Sequence, residues 1–250
     1  MSRAGEAAAT SRLEIERAFH DQRYAEGDAR TAQHKYYFAV AEGAERMSTL
    51  VADLARGSDV LEYGCGAGSR ARELAPVARS FHAIDISEAA IRQVAETTTA
   101  PNVHLHVMDA MDLAFEDRSF DLVFGSGIVH HLDTAVSARE VARVLRPGGS
   151  AVFWEPLGYN PLINAYRWLT PSARTPDEHP LLAGDLALMR RHFSAFEVDL
   201  FGLGSIAAVP FRNTRFGLPL RSALTRIDRA VLSVPGVRLL AWYALIRATR

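Results

Sequence analysis

Between residues 59 and 155 the chain alternates short apolar runs with stretches whose apolar positions recur at helical spacing. Asp59–Cys65 (DVLEYGC) predicts a buried strand, and Ala67–Val77 a helix that ends near Pro76. Phe81–Ile86 predicts a second strand. Ser87 then N-caps an Ala-rich helix over Glu88–Thr97. Val103–Met108, Phe120–Gly125 and Ser150–Glu155 predict three more strands. A helix over Thr134–Leu145 is stopped by Pro147-Gly148-Gly149. Such alternation of strand and helix predicts βαβ units and a parallel sheet covered on both faces.

The flanks read differently. Residues 12–30 are polar with scattered apolar positions, a marginal helix, and 36–56 form an amphipathic helix that ends before Gly57. Beyond Pro156 the rhythm breaks into a segment rich in Pro, Asn and Tyr. A helix at Ala187–Phe193, a strand at Phe196–Phe201, an amphipathic helix at 218–234 and a strand at 239–248 follow. In the 218–234 helix, Leu220, Leu224, Ile227 and Val231 make one stripe. Core or dimer packing accounts for that stripe, and so does an amphiphilic ligand or a membrane surface.

Composition narrows the classes. The chain has 250 residues, 48% hydrophobic and 23% charged, with a formal net charge of -1. That suits one large globular domain and gives no basic footprint for nucleic acid. The single cysteine, Cys65, excludes an internal disulfide, and no Cys/His spacing suggests a metal site. The opening residues carry charges throughout and no apolar core. A cytoplasmic protein without a secretory signal is expected.

The candidate chemistry lies in Val60-Leu61-Glu62-Tyr63-Gly64-Cys65-Gly66-Ala67-Gly68, a glycine-rich turn that follows a strand and opens a helix. Asp85 ends the next strand, where a carboxylate can accept two ribose hydroxyls, and Asp109 ends the third, placed for an adenine amino group. Two ligands compete. A dinucleotide would use G-x-G-x-x-G to seat its pyrophosphate, whereas this turn is G-x-G-x-G beside Glu62. A carboxylate there repels pyrophosphate and suits an ammonium and a sulfonium, which favours S-adenosylmethionine over NAD.

LEYGCGAG, AIDIS, VMDAMDLAFEDRSFDLVFGSGIVHHL and VLRPGGS together resemble the class I S-adenosylmethionine-dependent methyltransferases. The chain resembles in particular the small-molecule branch that includes the ubiquinone and menaquinone biosynthesis type, over about residues 55–155. The resemblance implies a Rossmann-like α/β fold. Its seven-stranded, mostly parallel sheet has helices on both faces, an antiparallel last strand and inserts after strands 5 and 6. It implies an N-terminal helical lid over residues 1–56 and a core over 57–250. Within that core lie an acceptor-side insert at 158–184 and a second insert at 203–236.

By the same resemblance, Glu62, Gly64, Cys65, Gly66 and Gly68 meet the methionine part of S-adenosylmethionine. Asp85 and Ile86 meet the ribose, and Asp109, Ala110 and Met111 the adenine. Gly125 and Ser126 line the cofactor's other side, and S-adenosylhomocysteine is the product. Tyr63 stands where a smaller residue is usual and is expected to change packing alone.

His131, just before Leu132-Asp133, is the candidate base, with His130 beside it and Tyr36 or Tyr37 as lid partner. Glu155, Tyr159, Tyr166 and His179 are candidate acceptor contacts, with Asn160, Trp168 and Glu178 in the same insert. The expected partner is a small-molecule acceptor rather than nucleic acid. A quinone or lipid-like acceptor, peripheral membrane contact, and a non-catalytic cofactor-binding protein of the same fold stay open.

Overall fold

The computed structural model describes residues 14, 16–22, 35–170 and 179–250. Residues 16–22 are helical, and the rest of the marginal helix expected at 12–30 lies outside the described residues. After a short 3-10 turn at Phe38–Val40 come α1 (Ala41–Leu54), β1 (Asp59–Tyr63), α2 (Ala71–Leu74), β2 (Ser80–Asp85), α3 (Glu88–Thr97), β3 (Val103–Val107) and β4 (Phe120–Ser126). α4 (Thr134–Val144), β5 (Leu145–Pro156), α5 (Pro161–Leu169), α6 (Ala183–Arg190), β6 (Ala195–Phe201), α7 (Gly217–Val231) and β7 (Tyr243–Thr249) complete the order.

The seven strands form one sheet in the order β3-β2-β1-β4-β5-β7-β6. β1 to β5 pair in parallel, and β7 slots antiparallel between β5 and β6. Alternation within the strands divides the core in two. Leu61, Tyr63, Val123 and Phe153 pack on one face with Val141 and Val144 of α4. Val60, Leu122, Phe124 and Trp154 pack on the other with Met47 and Val51 of α1. Both faces are therefore dry, as a parallel sheet requires. Gly43 of α1 lies so close to β5 that a Cβ there would run into the Trp154 ring.

Several predicted elements change, among them the last strand, expected at 239–248 but found at Tyr243–Thr249 after a 3-10 turn at Val237–Leu240, and the helix expected at Ala187–Phe193, found at Ala183–Arg190. The helix expected at Ala67–Val77 is a 3-10 turn over Gly66–Gly68 followed by α2, because Glu62 takes the Ser69 hydroxyl and the Arg70 N–H and delays the helix start. β5 begins at Leu145 rather than Ser150. Its Pro147–Gly149 stretch is absorbed in a register shift, with Leu145 opposite Phe120 but Ser150 opposite Leu122. The segment after Pro156 contains α5, whose cap is Asn160: its Oδ1 accepts the N–H of Leu162 and Ile163, with Pro161 in the first turn. The Ser87 cap of α3 stands as expected, its hydroxyl accepting the Ala90 N–H.

Candidate active site

In an open α/β sheet the ligand crevice lies outside the carboxyl ends of the strands, where the strand order reverses. Here that point is between β1, which continues to β2, and β4, which continues to β5. A cavity of about 290 Å³ opens there, walled by Glu62 of β1 and Gly64 just after it, Phe124 and Ser126 of β4, and Met47 and Ser48 of α1. Small-molecule sites measure roughly 300–1,000 Å³, and this cavity stands at the lower edge of that range.

Glu62 is 5% exposed, and its carboxylate accepts the Ser69 hydroxyl and the Arg70 N–H. Burial pushes its pKa from 4.5 to about 7, against the pull of Ser69 and Arg70. A cationic ligand group beside it would restore the charged form. Arg70 does not neutralise it fully, because its guanidinium reaches Ser48 and Glu73 at 3.0 and 2.6 Å.

Two glycines of the turn are dictated by geometry. Gly64 has φ +72°, and an added Cβ would lie 2.7 Å from Ile128 Cγ1. Gly66 has φ +52°, a conformation that residues with a Cβ rarely adopt, whereas at Gly68 an added Cβ would meet nothing within 4 Å. Cys65 is buried between Gly64 and Gly66, and burial pushes its thiol far above the ordinary value. It is a packing residue, not a nucleophile.

Asp85 crosses from β2 to the same turn. Its Oδ2 accepts the Gly66 N–H at 2.8 Å and its Oδ1 the Ser87 N–H at 2.9 Å. Each oxygen keeps a lone pair for a further donor. Ile86 follows it in the chain and is half-buried. Asp109 holds its own turn by accepting the Met111 N–H at 2.8 Å, and the Tyr63 hydroxyl donates to the Ala110 carbonyl beneath. Tyr63 is fully buried against Phe153, so its effect falls on packing and on holding the 109–111 loop. Gly125 is needed for a close approach, since a Cβ there would sit 2.6 Å from the Tyr63 carbonyl oxygen.

The acceptor side differs from expectation in several places. Glu155, expected to face the acceptor, is fully buried: it accepts the N–H of Ile128 and Val129 and lies 2.8 Å from His130 Nδ1. His130, 3% exposed, is thus an internal partner of β5 rather than an acceptor-facing base. Tyr36 packs on Tyr166 at 5.0 Å, and Tyr37 stacks on Trp242 at 6.0 Å. Neither is the side chain found against His131. That place belongs to Glu16, whose carboxylate is 3.9 Å from His131 Nδ1, and to His20, whose ring packs edge-on at 5.7 Å.

Tyr159 accepts the Ala183 N–H at the start of α6, a structural use. His179 donates its N–H to the His130 carbonyl, which places it beside the turn after β4. Glu178 lies outside the described residues.

Sequence reasoning missed Glu16, His20 and Asp21. Glu16 and His20 are one helical turn apart, which was the legible signal. Asp21 Oδ1 accepts the Ser87 hydroxyl and the Ala89 N–H, so the N-terminal helix is anchored at the start of α3, two residues beyond Asp85. Donor atoms of Glu16, His20 and His131 all lie within 4.8 Å of one another, the one such His/Glu group among the described residues. Ligands round a bound zinc stand roughly 3.4 Å apart, from bond lengths near 2.1 Å. The wider 3.9 Å gap to His131 fits a carboxylate–imidazole pair better than a closed metal shell.

The strand order and the two antiparallel edge pairings are those of a Rossmann-like α/β domain. Comparison with known proteins adds that residues 61–153 match the family described as a methyltransferase domain. The chain is 35% identical over 113 residues to O-methyltransferase cnsE of Penicillium expansum, covering 43% of this chain and 41% of that protein. It is 40% identical over 100 residues to 2-methyl-6-phytyl-1,4-hydroquinone methyltransferase of Synechocystis sp., covering 38% and 31%. The matched region thus spans less than half the length of these relatives. In fold it is similar to geranyl diphosphate C-methyltransferase from Streptomyces coelicolor A3(2), with TM-score 0.58 and 15% identity over 83% of this chain and 77% of that one. Among the described residues no helix is long and apolar enough to cross a membrane.

Proposed function

We propose that this chain transfers a methyl group from S-adenosylmethionine to a small-molecule acceptor. The observation that carries the reading is the buried, half-neutralised Glu62 in the wall of the switch-point cavity, with Asp85 tied to the same glycine turn. Glu62 would hold the ammonium group, Asp85 and Ile86 the ribose, and the 109–111 loop the adenine. Gly64, Gly66 and Gly68 give backbone access, with Gly125 and Ser126 opposite. When bound, the cofactor supplies a methyl group activated by its sulfonium.

The chain's own task is alignment and handling of the acceptor's proton. His131 is the base in this reading, and Glu16 stabilises the imidazolium it becomes. Residues 1–56 act as the lid, fastened by Asp21. His179 and Tyr166, in the 158–184 insert, border the acceptor, and the work is done in the cytoplasm. An amphiphilic, quinone-like acceptor is favoured by the apolar surfaces of the two excursions on this end of the sheet and by the phytyl-hydroquinone enzyme among the relatives.

Calorimetry tests the cofactor. S-adenosylmethionine and S-adenosylhomocysteine should bind while NADH should not, and the reverse result removes the reading. A screen of phenolic and quinol acceptors with labelled methyl donor then tests the transfer. Cofactor binding without transfer to any acceptor would favour a non-catalytic binding protein.

A further inference from the structure

The excursion of residues 202–242 leaves the sheet at the carboxyl end of β6 and returns at the start of β7. Because β6 and β7 are antiparallel, and β7 is antiparallel to β5, this is the same end of the sheet as the cavity. The excursion holds six arginines and one carboxylate, a balance of +5 in a chain whose net charge is -1. The carboxylate, Asp228, is buried and accepts the N–H groups of Leu203, Gly204 and Ser205. Arg229 is paired with Glu42 of α1, and the other five arginines leave the excursion positive.

α7 packs in an unusual sense. It buries Gly217, Thr225 and Asp228 and leaves Ile227 56% exposed, with Leu218 and Val231 also out. Leu220 and Leu224, the other members of its apolar stripe, are only half-buried. Phe211, Phe216 and Val234 extend the exposed apolar surface at either end. The stripe is thus not core. Hydration of such a surface is unfavourable, and contiguous apolar patches of this kind mark interaction sites. Arg215, Arg226 and Arg238 are exposed among these residues. The neighbouring excursion behaves alike: α5 exposes Leu162, Trp168 and Leu169.

We propose that the 202–242 excursion docks this end of the protein on an anionic lipid surface. Apolar residues would enter the acyl boundary while the arginines meet the headgroups. Charge selects this occupant over a second copy, since two such positive surfaces would repel. Docking would bring the cavity end of the sheet to the lipid, but the inference rests on the excursion alone and not on methyl transfer.

Co-sedimentation with vesicles of phosphatidylcholine alone, and of phosphatidylcholine with phosphatidylglycerol, tests it on the full chain. At low salt the anionic vesicles should retain the protein about tenfold better than the neutral ones, and added salt should erase the difference. The variants Arg215→Glu/Arg226→Glu and Phe216→Ser/Ile227→Ser should each lose most of that binding. Circular dichroism and thermal midpoints equal to that of the unaltered protein report that the variants remain folded, which keeps this test separate from that of the proposed activity. No retention on anionic vesicles, equal retention on both kinds, or full retention of the Arg215→Glu/Arg226→Glu protein overturns the proposal. So does a dimer in light scattering that Ile227→Ser converts to monomer, which would assign the face to a second copy.

Discussion

The Glu155 carboxylate, near the end of β5, lies 2.8 Å from His130 Nδ1 and also accepts the N–H groups of Ile128 and Val129. One buried side chain thus holds the whole turn after β4 in place, and with it His131.

Removing that carboxylate leaves two buried amides and an imidazole without their acceptor. Glu155→Ala should cost roughly 3–5 kcal/mol, as for breaking a buried pair. In a chain of this size that lowers the thermal midpoint by about 6–20 °C. Calorimetric unfolding checks it, and an unchanged midpoint would show that the pair adds nothing to stability.

Glu62 makes two quantities depend on pH in opposite directions. Its folded pKa, about 7, lies above the 4.5 of an unperturbed carboxyl, so between those values the native state binds the extra proton. Its contribution to stability is therefore present at low pH and lost as pH rises toward 7. Affinity for S-adenosylhomocysteine should instead tighten over the same rise, as the carboxylate ionises to meet the ammonium. Glu62→Gln should flatten both profiles and weaken binding by about 10- to 100-fold, the equivalent of a charged hydrogen bond. Titration calorimetry across that pH range is the measurement.

At Asp85 the expected effect is on affinity more than on fold. Asp85→Asn keeps an acceptor but loses the charge, and should weaken S-adenosylhomocysteine binding by about tenfold or more. A Kd equal to that of the unaltered protein would show that the ribose is held elsewhere.

Gly64→Ala brings together two separable penalties. The positive φ costs about 1–2 kcal/mol for any residue with a Cβ, and the clash with Ile128 adds to it. Ile128→Ala in the Gly64→Ala background should recover the second part only. Denaturant midpoints of the two single variants and the pair decide the matter.

His131→Ala should lower kcat by about 10²–10⁴ with a smaller effect on KM, the usual scale for a general base. Glu16→Gln should give a weaker fall in kcat, and Tyr36→Phe and Tyr37→Phe little change. A chelator should leave the rate unaltered. Near-normal turnover of His131→Ala at every pH would remove His131 from the mechanism.

The sheet was legible because its signal is local. A run such as DVLEY must be buried on both faces wherever it lies, and Ser87 caps a helix using only its own next three residues. The positions of Glu62, Asp85 and Asp109 at or near the carboxyl ends of β1, β2 and β3 were legible for the same reason. The acceptor side was not. Glu155 also ends a strand, yet it turns inward because the N–H groups of Ile128 and Val129 need an acceptor there. Likewise Tyr36 and Tyr37 found aromatic neighbours in Tyr166 and Trp242, while Glu16 and His20 took the place beside His131.

By itself the sequence determined the α/β layers, the glycine turn and the acidic residues around it, because periodicity, caps and strand ends are properties of neighbouring residues. The tertiary structure decided which side chains meet His131, where Glu155 points, and that α7 buries Thr225 and Asp228 while Ile227 stays in solvent. Those outcomes depend on hydrogen-bond partners and packing surfaces supplied from distant parts of the chain, and no local pattern records them.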